Sequence, residues 1–161
     1  YLLEARNISK SPAFAGNLTS VTSAGMFVAA FSYATLSGRI SAMRMWSITF
    51  GLVGIGFVAL SISPQLIGII AGGFVTGLGA GLVMPNSLNM VLGRVPAVAR
   101  GKAAGIQTTC WFLGIFAGPM IGVALSRAFG GPSNALGVWS FVAVLTCLSY
   151  LMMNKHQAAT S

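Results

Sequence analysis

Five long apolar stretches, each long enough to cross a lipid bilayer as a helix, dominate the sequence. A hydrocarbon core about 30 Å thick needs about 20 residues at a rise of 1.5 Å per residue. Strands of a membrane barrel would be about half as long and would alternate in polarity. We therefore predict an all-α fold, a polytopic transmembrane helix bundle. The predicted spans are approximately 12–36, 43–62, 65–92, 103–125 and 134–153.

The charges of the chain also indicate a membrane protein. Only 6% of the residues are charged and 55% are hydrophobic. In soluble domains, roughly a quarter of the residues are charged. Nine Lys and Arg stand against one acid, Glu4, giving a net charge of +8. The basic residues are scattered between apolar stretches, whereas a nucleic-acid surface would cluster them on one face. We expect the lipid bilayer as a partner, and no nucleic acid.

The basic residues predict how the chain crosses the membrane, because cytoplasmic loops carry more Lys and Arg than outer loops. With five spans, the loops and termini that flank them fall into two sets on opposite sides of the membrane. One set contains Arg39, Arg44, Arg94, Arg100, Lys102 and Lys155, and the other contains Arg6, Lys10 and Arg127. We predict that the larger set and the carboxyl terminus are cytoplasmic, in a plasma membrane such as the bacterial inner membrane.

A glycine-rich run, "GGFVTGLGAG" at 72–81, lies in the middle of the third span. It does not fit a phosphate-binding loop, because "GLGAGL" lacks the third glycine of a dinucleotide fingerprint and no acid follows it. Gly73, Gly77 and Gly81 are each four residues apart. In a helix this spacing makes a groove on one face, which predicts close contact with a neighbouring helix.

The fourth span repeats this pattern with Gly114, Gly118 and Gly122. Pro119 in this span and Pro85 in the third span each remove one backbone donor and predict a kink. Kinked helices with glycine faces suit a transport path in which helices rock against each other. Static helix contacts would also explain the glycines.

Residues for catalysis are missing from the predicted spans. Glu4 is the only acid and His156 the only histidine, and both lie outside the spans. An intramembrane enzyme would need paired acids, a nucleophile with a base, or metal ligands. We therefore predict a protein that is not an enzyme, with no cofactor and no metal site.

Three segments resemble the major facilitator superfamily of secondary transporters. "GRISAMRMW" at 38–46 looks like a degenerate copy of the family's loop motif, in which Gly38, Arg39 and Arg44 align with its glycine and basic positions. The motif's Asp is missing, and Ala42 stands near its place. "VPAVARGKAAGIQTT", which contains Arg100 and Lys102, resembles the basic loop before the family's eleventh helix. "GIFAGPMIG" resembles the Gly-Pro pattern of that helix.

The resemblance implies that residues 1–161 form most of the carboxyl-terminal six-helix half, the last five of twelve helices. It implies a secondary transporter that moves a small organic solute by alternating access, most simply a drug or metabolite efflux protein. The missing amino-terminal helices of the same protein would be its partners. The alternative is a non-transporting membrane scaffold or assembly subunit, whose glycine faces bind helices of a partner protein.

Neutral polar and aromatic groups are the candidates for a solute cavity. Gln107, Trp111, Gly114 and Gly118 share one helix face, because their spacings are four, three and four. Gln107 offers a donor and an acceptor, and Trp111 offers a flat apolar wall. Helices that line the cavity in the family imply secondary candidates, and these are Asn17, Ser20, Thr76, Asn86 and Asn89.

Each cavity candidate has an alternative role in a hydrogen bond between helices. Four loop residues likewise have two interpretations: they set the topology of the chain, or they contact helix ends and hold a gate. These residues are Arg39, Arg44, Arg100 and Lys102.

Overall fold

A computed structural model of the protein describes residues 12–63 and 65–159, and these residues form five α-helices without any strand. The predicted all-α helix bundle is confirmed. The helices are α1 (Pro12–Ser37), α2 (Ala42–Ile62), α3 (Leu66–Leu92), α4 (Arg100–Ala128) and α5 (Pro132–Ala159), with a 3-10 turn at Ala97–Ala99 before α4. Glu4, Arg6 and Lys10, and the side chains of Lys155 and His156, lie outside the described part.

Four segments of the described chain are long and apolar enough to cross a membrane. They are Ala42–Ile62, Leu66–Leu92, Ala97–Ala128 and Pro132–Met153. The first predicted span corresponds to α1, whose 26 residues would extend about 39 Å. Its length is sufficient, but its first half contains the polar run "GNLTSVTSAG", so its composition does not qualify it as a span.

Two helix boundaries show how local sequence sets the ends. Ser41 caps α2, because its hydroxyl accepts a hydrogen bond from the Arg44 backbone N–H at 3.4 Å. Between α4 and α5 the chain turns at Gly130 and Gly131, whose φ angles are 74° and 148°. The Gly131 N–H binds the Ser126 carbonyl at 2.8 Å, the pattern of a Schellman cap. Glycine is favoured at both positions because side chains rarely adopt these angles.

The glycine face of α3 lies against α1. A Cβ added at Gly77 would collide with the backbone carbonyl oxygen of Thr22, and one added at Gly81 would collide with the carbonyl of Met26. At Gly73 the added Cβ would lie 3.2 Å from the Thr22 hydroxyl. The two backbones therefore touch along this face, which gains dispersion contacts that lipid would not provide.

The opposite side of α3 makes a similar contact with α2. A Cβ at Gly79 would lie 2.8 Å from the carbonyl oxygen of Thr49, and one at Gly56 would collide with the Thr76 side chain. Helix α2 in turn packs against α5, where the Ser61 hydroxyl donates to the Ser133 carbonyl at 2.9 Å. The most extensive contacts thus join α1, α3, α2 and α5 in that order.

Helix α4 is held much more loosely than the other four helices. Ser126 is the one α4 residue that is buried. A Cβ added at Gly114, Gly118 or Gly122 would meet nothing within 4 Å. This glycine face therefore has no close neighbour within the part of the chain that the structure describes.

Candidate functional site

A groove between α1, α3 and α4 contains Trp111 in its wall. Its volume is about 500 Å³. The lining is mainly apolar and includes Met26, Phe27, Pro85, Leu88 and Trp111. Pro85, at which the sequence predicts a kink in α3, thus lines the same groove as Trp111. The arrangement provides flat and flexible apolar walls, which suit an uncharged organic surface.

Gln107 lies one helical turn before Trp111 and contacts α3. Its side-chain N–H donates to the hydroxyl of Ser87, and that hydroxyl donates to the Met84 carbonyl at 3.1 Å. The Gln107 Oε1 atom is shielded from solvent and has no hydrogen-bond partner among the described residues. An amide oxygen in this position can accept a hydrogen bond from an N–H or O–H group that enters between α3 and α4.

The predicted common face of α4 is divided between two grooves. Gly118, Pro119 and Gly122 line a second groove, about 700 Å³ in volume, together with Phe57 of α2 and Trp139 of α5. Trp111 does not line this groove, and Gly118 does not line the first one. Near Trp111, α4 therefore shares a groove with α1 and α3, and near Pro119 it shares a groove with α2 and α5.

Asn86 and Asn89 belong to a hydrogen-bonded cluster at the loop end of α1 and α3. The Asn86 side chain is only 1% exposed, and its N–H donates to the Ala42 carbonyl at 3.2 Å. The Tyr33 hydroxyl donates to Asn86 Oδ1 at 3.5 Å and accepts from Asn89 Nδ2 at 3.2 Å. The cluster therefore joins α1, the start of α2, and α3, and it does not line the Trp111 groove.

The remaining cavity candidates lie apart from Gln107 and Trp111. The Thr76 hydroxyl donates to the Gly72 carbonyl at 2.8 Å within α3 and faces α2. Asn17 and Ser20 are exposed on the first half of α1, and Ser20 donates to the carbonyl of Gly16 at 3.1 Å. The structure thus brings Gln107, Trp111 and Pro85 to one region. Thr76, Asn17 and Ser20 lie outside that region.

The basic loop candidates are all on the surface. Gly38, Arg39, Arg44, Arg100 and Lys102 are exposed. No ion pair with a carboxylate side chain forms within residues 12–63 and 65–159, because these ranges contain no Asp or Glu. The same ranges hold no group of three or more His, Cys, Asp or Glu side chains that could bind a metal.

The structure brings together several residues for which the sequence pattern contains no direct signal. Trp46, Phe50 and Tyr150 stack with ring centroids 5.7–6.0 Å apart, and the Trp46 indole N–H donates to Met90 Sδ at 2.9 Å. The spacing of four between Trp46 and Phe50 indicates a shared face. Tyr150 lies a hundred residues further along the chain than Phe50, so spacing cannot identify it as their partner.

Helices of membrane length, joined through glycine faces and bearing neutral polar and aromatic groups along their grooves, define a multi-pass membrane protein. The chain belongs to the Major Facilitator Superfamily, whose family model matches residues 2–161.

Three transporters are similar to this chain. The riboflavin transporter RibZ of Clostridioides difficile (strain 630) is 30% identical over 101 residues, which cover 63% of this chain and 22% of the relative. The niacin transporter NiaP of Acinetobacter baylyi (strain ATCC 33305 / BD413 / ADP1) is 25% identical over 120 residues, which cover 74% of this chain and 27% of the relative. The MFS-type transporter calB of Penicillium decumbens is 30% identical over 125 residues, which cover 72% of this chain and 22% of the relative.

The matched part of this chain thus spans 22–27% of the length of each of these relatives. No solved structure gives a significant match to the chain.

Proposed function

We propose that this chain forms part of a secondary transporter, which moves a small organic solute across a membrane by alternating access. The observation that carries the proposal is the family match over residues 2–161. Relatives named as transporters of riboflavin and niacin support a small organic solute. Efflux is the direction we propose, from the resemblance to drug and metabolite exporters.

The full transporter in this proposal contains further helices, because the matched part covers only 22–27% of each relative. From the resemblance to the last five of twelve helices, we expect them on the amino-terminal side. It lies in a plasma membrane, such as the bacterial inner membrane, with its carboxyl terminus in the cytoplasm. Since the described residues contain no Asp or Glu, a coupling carboxylate would have to come from another part of the protein.

The small number of contacts between α4 and the other described helices supports a movement of α4 during alternating access. Alternating access needs a bundle or a gating element that can shift against another rigid body. Helices α1, α3 and α2 touch at the level of the backbone through glycine, and α2 packs extensively on α5, whereas α4 makes far fewer contacts with α3 and α5. In this proposal α4 moves and carries Gln107 and Trp111 along the solute path.

Flux measurements with variants of α4 test the proposal. The full-length protein is reconstituted in liposomes and assayed with a panel of radiolabelled solutes that begins with riboflavin and niacin. For a transported solute, Gln107→Ala and Trp111→Ala should weaken apparent affinity by about fivefold to a hundredfold, because a shielded hydrogen bond or ring contact costs about 1–3 kcal/mol. Flux is normalised to folded protein.

Two matched controls lie on other faces of the same helix. Thr109→Ala removes a hydroxyl that bonds the Gly105 carbonyl within α4, and Phe112→Ala removes a ring that is 63% exposed. Both should retain the affinity of the unaltered protein. Unchanged affinity in all four variants would exclude Gln107 and Trp111 from the path. An absence of flux for every solute, with folded protein present, would favour the membrane-scaffold alternative.

A further inference from the structure

Two grooves meet at the end of the bundle where α2 begins and α3 ends. The first has a volume of about 360 Å³ and is lined by Ala42, Asn89, Met90, Gly93 and Arg94. The second has a volume of about 640 Å³, and its walls include Met43, Met90, Leu145, Tyr150 and Met153. Met90 lines both grooves, and Ala42 of the first is adjacent to Met43 of the second. The two grooves therefore form one continuous surface with a polar end and an apolar end.

The polar end is suited to an anion. Arg94 is exposed, and its Nη1 donates to the Met90 carbonyl at 3.0 Å. A guanidinium has five N–H donors in a planar fork, so this one bond leaves donors that match phosphate oxygens. Ala42 is the first residue of α2, which adds the positive end of a helix dipole to the same groove.

The surrounding charge has one sign. Arg39 lies in the loop before α2 and Arg44 in its first turn, and both side chains are exposed. The described part of the chain contains no Asp or Glu that could neutralise them. Basic groups at a membrane surface attract anionic lipid headgroups, so the charge at this end complements a negative headgroup.

The apolar end extends into the membrane-spanning part of α5. Its lining residues on α5 run from Met153 back to Val142, a separation of eleven residues or about 16 Å along the helix. Leu145, Val142 and Met153 are each between 45% and 49% exposed, so the described helices leave this wall uncovered. A groove of this kind accommodates a hydrocarbon chain, which a soluble anion lacks.

We propose that the paired grooves bind an anionic phospholipid, with its phosphate at Arg94 and an acyl chain along α5. The site is separate from the groove of Trp111 and does not depend on the transported solute. A soluble anion would use only the polar end. A zwitterionic lipid such as phosphatidylcholine also has a phosphate for Arg94, but its cationic group is repelled by the exposed Arg39 and Arg44. The occupant that uses both ends without this repulsion is a lipid with a net negative headgroup.

Lipid binding to the purified protein, measured by native mass spectrometry in detergent, tests the headgroup end. Phosphatidylglycerol and phosphatidylcholine with the same acyl chains are compared. We expect phosphatidylglycerol to bind more tightly, and Arg94→Gln to weaken its binding about fivefold, as expected for one basic residue at a lipid surface. Arg94→Lys should retain most of the preference. Arg127→Gln removes the same charge at the far end of α4 and should have no effect.

A second pair of variants tests the acyl-chain end. Leu145→Trp fills the apolar groove and should weaken phosphatidylglycerol binding, while Leu148→Trp should not. The two leucines are 48% and 47% exposed, and only Leu145 lines the groove. Equal binding of both lipids, equal losses in Arg94→Gln and Arg127→Gln, or equal losses in the two tryptophan variants would overturn the proposal. Competition by glycerol 3-phosphate at the concentrations at which phosphatidylglycerol competes would identify a soluble-anion site instead.

Discussion

A single buried amide, Asn86, illustrates what polar residues do inside this bundle. A polar group shielded from water is costly unless it forms hydrogen bonds. Asn86 forms them with Tyr33 of α1 and with the carbonyl of Ala42 at the start of α2. The side chain therefore ties together three segments that are distant in the sequence. Its proposed role in a solute cavity stays a prediction.

Replacing Asn86 tests the strength of this connection. Asn86→Ala should lower the free energy of unfolding by about 0.6–2 kcal/mol, because hydrogen bonds between membrane helices contribute this much. Asn89→Ala is the matched control, since Asn89 is exposed and shares only the Tyr33 hydroxyl. Unfolding of the purified protein in detergent, followed by its helical circular dichroism, measures both.

A double variant distinguishes a shared cluster from two independent sites. If Tyr33 and Asn86 act together, Tyr33→Phe combined with Asn86→Ala should cost less than the sum of the single variants. Additive losses, or equal losses in Asn86→Ala and Asn89→Ala, would contradict the cluster. The sequence predicts that polar groups at membrane depth need partners, but it cannot pair Tyr33 with Asn86 across 53 residues.

At the scale of the helices, the sequence predicts faces better than it predicts neighbours. Glycines four apart in α3 and α4 give the same expectation of a close helix contact. In α3 the face meets α1, whereas in α4 Gly114 and Gly118 meet no described neighbour. Glycines spaced four apart predict a groove on one face of a helix. They do not predict which neighbouring helix packs into that groove, because the helices of the bundle are all mainly apolar.

Helix length also differs from the predicted spans for a physical reason. The apolar stretch predicts a fourth span at 103–125, and α4 runs from Arg100 to Ala128. Counting apolar residues estimates the part of a helix that lies in hydrocarbon. A helix continues into the headgroup layer, where Arg100, Lys102 and Arg127 can be charged and hydrated.

The contrast between the two glycine faces gives a sharp substitution test. Gly77→Leu should lower the free energy of unfolding by about 1–3 kcal/mol or more, because its Cβ would collide with the Thr22 carbonyl and backbone cannot easily move aside. Gly114→Leu should change it by less than about 0.5 kcal/mol, because the space around Gly114 is open. Folded yield and unfolding of the purified protein are compared. Equal tolerance of the two substitutions would mean that α1 and α3 do not touch at Gly77.

At the scale of the whole molecule, the fold class follows from the sequence and the arrangement of helices does not. Helix α1 packs most extensively against α3, which is not its neighbour in sequence, and α2 lies between α3 and α5. Large apolar side chains such as Phe31 and Phe116 are 79% and 72% exposed. Because lipid is as apolar as the bundle interior, burying such residues gives little preference for one arrangement over another.

The orientation of the bundle, in contrast, depends on a property that the sequence does carry. From the positive-inside rule we predict that the basic end, which includes Arg94, Arg100 and Lys102, is cytoplasmic. Helix α4 separates the two ends, because its 29 residues extend about 43 Å. Positions at its two ends should therefore differ in their access to reagents that cannot cross a membrane.

Single cysteines at the two ends of α4 test this orientation in intact cells. Ala97 and Ala128 are both exposed, so Ala97→Cys and Ala128→Cys form a matched pair in a background that carries Cys110→Ser and Cys147→Ser. An impermeant thiol reagent should label Ala128→Cys at once and Ala97→Cys only after the membrane is permeabilised. The physical reason is that the basic loop before α4 stays on the cytoplasmic side while the turn after it reaches the outer surface. The opposite labelling order would invert the topology, and equal labelling of both cysteines before permeabilisation would show that the chain inserts in both orientations.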